Sequence, residues 1–297
     1  MTDPDTWTIP FTGRYDLARS AAAARQAAFL DGASSFADRP GVMHVSMVLD
    51  SVWQPVAVRL EQGPQHVSVT LLDDPGSAGP HRVTAQLRRV LSLDGDGAAF
   101  EALAHHDPVL GARQRSHPGL RPWLHASPYE ALARAIIMHR LFRGQVVAVI
   151  SGLSREFGLT VSVAGVPTQT FPTPAALAMV ERFPGLADRK VEQLRALGAA
   201  AADGHHAAET MRSLPREEAM RHLTALGGIG PFSAELVMIR GVGDRDVFPE
   251  TEKSLHRAME VAYGLGAEPS LEALRRVAAT WSPFRSWAGL LLRQGHA

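Results

Sequence analysis

The chain has 297 residues, 30 basic and 30 acidic side chains for zero formal net charge, and no cysteine. That length fits one large or two ordinary domains with a sizeable buried core. Absent thiols exclude disulfides, a thiolate nucleophile and a cysteine-ligated iron–sulfur cluster, and a balanced charge is not the usual footprint of a nucleic-acid binder. No apolar run reaches bilayer length, and the opening MTDPD has no basic region leading into an apolar signal core. A soluble, cytoplasmic protein without a membrane partner is expected.

Roughly the first 85 residues alternate apolar and polar side chains at period two, the pattern of half-buried strands. Thr6-Trp7-Thr8-Ile9, Met43/Val45/Met47/Leu49, Val56/Val58/Leu60 and Val67/Val69/Leu71 carry it, with Asp50-Ser51 and Gln62-Gly63-Pro64 as turn chemistry between runs. Residues 15–30 (YDLARSAAAARQAAFL) are alanine-rich and predict a helix. Residues 73–80 (DDPGSAGP) read as a loop, and residues 83–91 lead out of the sheet. Beyond residue 96 the period becomes helical, with predicted helices over 97–105, 128–150 with a break at Gly144, 173–181, 188–203, 216–225, 231–239, 252–263 and 271–291. Pro174 and Pro231 sit near helix starts, where a missing N–H costs nothing. Residues 160–172 are polar and β-prone, a loop or small hairpin. The expected class is α+β: an antiparallel sheet domain with a helix over residues 1–88, then an all-helical core of two lobes over 89–297.

Between two of the predicted helices lies Leu226-Gly227-Gly228-Ile229-Gly230-Pro231-Phe232-Ser233-Ala234. Glycine permits a positive-φ turn and close backbone approach, and the helix that follows offers free N–H groups to an anionic oxygen such as a phosphate. Glu252 follows downstream, with Asp246 and Glu250 as neighbouring acids. Two stretches, 134–155 and 275–293, carry arginines and no acid, which reads as local basic surface on a neutral protein. His105-His106 and His205-His206 lack metal-ligand spacing and read as surface residues.

These residues resemble the helix-hairpin-helix-GPD superfamily of DNA base-excision glycosylases, and within it the bacterial 3-methyladenine DNA glycosylase II group. Residues 223–240 (LTALGGIGPFSAELVMIR), 241–249 (GVGDRDVFP) and 252–257 (EKSLHR) carry the likeness. SPYEALARAII (127–137) resembles the first core helix, and WSPFRSWA (281–288) the closing one. Blocks in that order cover roughly the last two thirds of the chain. The resemblance implies a helix-hairpin-helix core and base removal in base excision repair, acting on alkylated purines in double-stranded DNA, by a monomer associated with the nucleoid. The absence of cysteine separates the chain from the cluster-bearing branch.

Residue by residue, the resemblance puts Glu252 where the family has its catalytic aspartate. A carboxylate there stabilises positive charge developing on the sugar and orients or deprotonates the attacking water. Members that also cleave the strand carry a lysine at the Phe232 position for a Schiff base. Phe232 implies base removal alone, leaving an abasic site. Phe232, Leu236 and Trp281, with Trp287 near them, are the expected pocket for an extruded base, a cationic alkylated purine stacking on an aromatic face. Gly228, Gly230 and Ser233 are expected on DNA. The turn after the first core helix, Met138-His139-Arg140-Leu141-Phe142, places His139 or Arg140 in the gap left by the base, Arg140 serving equally as a phosphate contact. No cofactor is expected for catalysis. A monovalent or divalent cation is implied at the main-chain carbonyls of Thr224, Leu226 and Ile229. A second reading is a damaged-DNA-binding protein of the same fold, non-catalytic or altered in specificity.

Overall fold

A computed structural model describes residues 5–26, 34–36, 41–74 and 76–294. Five strands, β1 (Thr6–Pro10), β2 (Ser34–Phe36), β3 (Val42–Val48), β4 (Pro55–Gln62) and β5 (His66–Asp73), form one antiparallel sheet in the order β1-β5-β4-β3-β2. The alternation gathers Ile9, Val58, Leu60, Val67 and Val69 into a core with Leu17 and Ala21 of α1 (Leu17–Gln26) and Val83 and Leu87 of α2 (Gly79–Val90). Residues 27–30 of the helix predicted over 15–30 lie outside the described residues.

The helical part builds two apolar clusters. One is formed by α5 (Pro128–Met138), α6 (Arg143–Phe157), α7 (Pro174–Ala178), α8 (Asp188–Ala202), α9 (Ala208–Ser213), α10 (Arg216–Thr224) and α11 (Pro231–Val237), the last running on into a π turn over Met238–Val242. The other joins α3 (Gly97–Ala102), α4 (Pro108–Ser116), α12 (Lys253–Tyr263), α13 (Leu271–Ala279) and α14 (Arg285–Arg293). Helix starts follow local chemistry: the side chains of Asp96, Ser127, Thr173 and Ser270 each accept a first-turn N–H. Between the clusters and the sheet sits Arg89 of α2, donating to the carbonyls of His125, Ala126 and Gly241. Burial lowers its guanidinium to about 10.

Several predicted elements are redrawn. The helix over 128–150 breaks at the turn after Met138, where Arg140 takes φ +57°, and Gly144 falls instead in the first turn of α6. The helix over 271–291 is two helices, because Pro283 has no N–H to donate and in a continuous helix its ring would clash with the carbonyl four residues back, at Ala279, where α13 ends. Helices α2, α4 and α9 escaped the periodicity reading, α2 starting at Gly79 inside the stretch read as a loop. Residues 160–172 contain a hairpin, β6 (Thr160–Val163) and β7 (Val166–Gln169), whose Val161 and Val163 pack on Ala57 of the sheet. His206 is buried rather than on the surface, and desolvation, with His205 and His222 adding to it, lowers it to about 4.

Candidate active site and nucleic-acid interface

The turn between α10 and α11 is pinned by Ile229, buried in the core, and closed by its N–H on the Leu226 carbonyl at 3.1 Å. The two glycines beside Ile229 do different jobs. Gly228 has φ +89°, a conformation that strains any residue with a Cβ, and a Cβ there would also push aside the end of the Gln193 side chain, 2.8 Å away, so glycine is favoured by the fold. Gly230 has φ −91° with open space where a Cβ would go. Nothing inside the protein requires glycine there. Phe232 is 45% exposed at the start of α11, with Ser233 and Leu236 half-buried on the same helix. Among the described residues, no hydrogen bond uses the Thr224 or Ile229 carbonyl, and Leu226 accepts only one. Carbonyl oxygens with spare lone pairs on one turn suit a hard cation.

Glu252 stands at the N-cap of α12, and its main chain is fixed. Its N–H reaches the Pro249 carbonyl at 3.3 Å, and its own carbonyl accepts from Leu255 at 3.0 Å and His256 at 3.1 Å. Glu235 of α11 holds the two preceding residues, accepting the N–H groups of Glu250 and Thr251 at 3.2 Å each and the Thr251 hydroxyl at 2.5 Å. One buried carboxylate on the hairpin's second helix therefore positions the loop that presents another. The Glu252 side chain is 9% exposed, and its Oε1 accepts from Ser254 Oγ at 3.0 Å and from Arg293 Nη1. Arg240 lies close behind. Burial brings its guanidinium down to about 9, Arg293 pushing the same way and Glu252 pulling back.

The neighbouring acids are occupied. Asp246 is gripped by Arg285 through both oxygens at 2.8 Å, with Ser282 at 3.0 Å. Glu250 holds Arg275 through both oxygens at 2.7 and 2.6 Å. This corrects the reading of residues 275–293 as basic surface: Arg275, Arg285 and Arg293 each meet a carboxylate of the 246–252 segment, and Arg276 meets Glu272. The acids that neutralise three of them are distant in sequence, so a local count missed them.

The turn between α5 and α6 is open. Met138, His139 and Arg140 are exposed, and Phe142, which the sequence reading did not single out, is 84% exposed at the N-cap of α6. Lys190 of α8 holds the turn from below, its Nζ donating to the Ile137 and His139 carbonyls at 2.7 and 2.5 Å. A groove of about 670 Å³ runs from this turn to the hairpin, lined by Ile136, His139, Arg140, Arg189, Lys190 and Gly228. Lysine and arginine therefore face the space beside the hairpin tip.

The expected aromatic pocket is only partly assembled. Trp281 is fully enclosed, its indole N–H directed to Asp107 and to the Tyr263 hydroxyl, both at 3.1 Å, so it is a core residue with no open face. Trp287 is likewise buried, against Phe100 and Phe284. Phe248 connects this aromatic core to the Glu252 segment, meeting Trp281 edge-on at 6.4 Å and stacking on His256 at 6.1 Å. Neither Glu235, Ser254, Arg293 nor Phe248 had a sequence signal of its own; each matters through a partner that folding supplies.

No protein-family model matches the chain. Over 241 residues it is 33% identical to the probable bifunctional transcriptional activator/DNA repair enzyme AlkA of Mycobacterium tuberculosis, an alignment covering 80% of this chain and 47% of that protein. The chain thus spans about half the length of that relative. With the DNA-3-methyladenine glycosylase of Bacillus subtilis it shares 22% identity over 208 residues, 67% of each chain. The 3-methyladenine DNA-glycosylase from Archaeoglobus fulgidus has the same fold, with a TM-score of 0.77 over 97% of both chains at 22% identity. The Clostridium acetobutylicum 8-oxoguanine glycosylase/lyase in complex with double-stranded DNA follows at a TM-score of 0.73, 16% identity, and coverage of 99% of this chain and 96% of that one.

Proposed function

The chain belongs to the helix-hairpin-helix-GPD superfamily, and on that premise we propose that it is a monofunctional DNA glycosylase of the 3-methyladenine type, with Glu252 as its acting carboxylate. In this reading the hairpin and the cationic groove beside it take the phosphates of double-stranded DNA, and Phe142 and Arg140 enter the gap left when a damaged base is extruded. Hydrolysis breaks the N-glycosidic bond, and the bonding pair leaves with the cationic base, which departs neutral and needs no proton. Water adds its oxygen to C1′, and the proton released by that water goes to the carboxylate. A carboxylate fixed beside C1′ stabilises the cationic transition state and takes up the water proton. An alkylated purine, already cationic, is the leaving group that demands least of the protein. Phe232 offers no amine for a Schiff base, so the product is an abasic site.

The observation that carries this reading is the placement of Glu252: the two residues before it are held by Glu235 on the hairpin's second helix, and its carboxylate is largely withdrawn from water. A monovalent or divalent cation on the Thr224, Leu226 and Ile229 carbonyls would brace the hairpin against phosphate, and removing it would weaken DNA binding without touching the chemistry. The test is base release from dimethyl-sulfate-treated duplex DNA by the wild type and Glu252→Gln, with DNA binding measured in parallel. Loss of release with intact binding supports the assignment. Equal release by both proteins removes Glu252 from the mechanism, and no release by either leaves a DNA-binding protein.

A further inference from the structure

A buried glutamate is a poor fixed charge unless something holds it. Its three side-chain torsions are entropically costly to freeze, and the main chain of Glu252 is tied at both N–H and carbonyl. The side chain is held through one oxygen only. Ser254 Oγ and Arg293 Nη1 both donate to Oε1, and among the described residues no donor is placed on Oε2. Arg293 is itself seated at the end of α14, with its Nε on the Gly289 carbonyl at 3.3 Å and its side chain 25% exposed. Cations at helix C-termini are favoured by the helix dipole, so this guanidinium has a reason to stay when it is not pairing.

We infer that Arg293, assisted by Ser254, is a positioning residue that fixes Glu252 Oε1 so that Oε2 is the oxygen left for chemistry. The inference rests on Glu252 being the acting carboxylate. It also explains why the third acid–arginine pair of this region differs from the other two. Arg275 and Arg285 engage both oxygens of their partners, which leaves those carboxylates nothing to offer, whereas Arg293 takes one.

The test uses single-turnover base release from dimethyl-sulfate-treated duplex DNA at saturating protein, with DNA affinity by fluorescence anisotropy, for the wild type, Arg293→Met and Arg293→Lys. Misplacing a reacting group by about 1 Å costs roughly a hundredfold, so Arg293→Met should slow release about 10- to 100-fold with affinity unchanged within about twofold. Arg293→Lys, which keeps the charge and one donor, should recover part of the rate, and it decides the matter alone should the methionine variant fail to fold. Release by Arg293→Met at or above the wild-type rate would make the pair an obstruction and overturn the inference. So would a loss of affinity matching the loss of rate, since that marks a DNA contact. If neither the wild type nor Glu252→Gln releases base, the glycosylase reading has failed. The positioning role is then judged from crystal structures: a Glu252 side chain that leaves Ser254 in Arg293→Met upholds it, and an unmoved one refutes it.

Discussion

Residues 134–155 and 275–293 look alike as sequence, each carrying arginines and no acid, yet folding gives them opposite surfaces. Across 275–293, Arg275, Arg285 and Arg293 are claimed by Glu250, Asp246 and Glu252, which arrive from a loop some 25 to 40 residues upstream. Across 134–155, Arg134 is buried on Glu130, but Arg140 and Arg143 meet no carboxylate among the described residues, and Arg143 reaches only the Arg25 carbonyl. One stretch is neutralised by the molecule's own acids. In the proposed function the other faces DNA. Local charge is therefore not surface charge, and a chain of zero net charge presents a cationic groove where Arg140, Arg189 and Lys190 gather with no acid in the lining.

The sharpest break to this contrast is on the acid side. Glu252→Gln keeps shape and removes charge, so base release should fall by about 10²-fold or more while DNA affinity holds, read by chromatography of released base and by anisotropy. Glu252→Asp tests the same point from the other direction. It shortens the side chain away from Arg293 and Ser254, and the release rate should drop about tenfold rather than rise.

On the partner-facing side, Arg140→Gln with Arg143→Gln should weaken DNA binding about tenfold at low salt and flatten the slope of log K against log salt by about two. Arg275→Gln with Arg276→Gln should leave both within twofold of wild type. The reverse outcome would end the distinction between the two stretches. The hairpin glycines divide in the same way. Gly230→Asp should lose about tenfold in DNA affinity at unchanged melting temperature, because its Cβ enters open space, where the proposed phosphate contact would put a like charge. Gly228→Ala should cost about 1–2 kcal/mol of stability, from its positive φ, by denaturant melts. A smaller effect is expected for Phe142→Ala, about three- to fivefold in DNA affinity with no change in stability.

The smallest effect concerns pH. Burial would raise the Asp246 carboxyl, but hydrogen bonds and charge from Arg285, with Ser282, outweigh it and hold the group below its ordinary value of 3.8. The unfolded chain then binds the proton first. The pair's contribution to stability is complete above that ordinary value and is lost as pH falls toward the folded one. Asp246→Asn should accordingly flatten stability against pH below about 4, measured by thermal melts.

Sequence by itself determined the elements that local pattern encodes. Period-two runs set the strands, 3.6-residue runs and caps set most helices, and the LGGIGPFSA hairpin with a carboxylate after it was legible because glycine spacing and helix entry are local chemistry. The family resemblance pointed to Glu252 as the candidate carboxylate, with Asp246 and Glu250 as alternatives. Only the tertiary structure decided that those two alternatives are held through both oxygens, and that Trp281 is core. It alone separated Gly228, whose backbone favours glycine, from Gly230, whose backbone does not, and left Phe142 uncovered at the turn. Each of these depends on which residue from tens of positions away fills the neighbouring space. An ion pair, a buried indole or a crowded Cβ belongs to two segments at once, and neither segment alone encodes it.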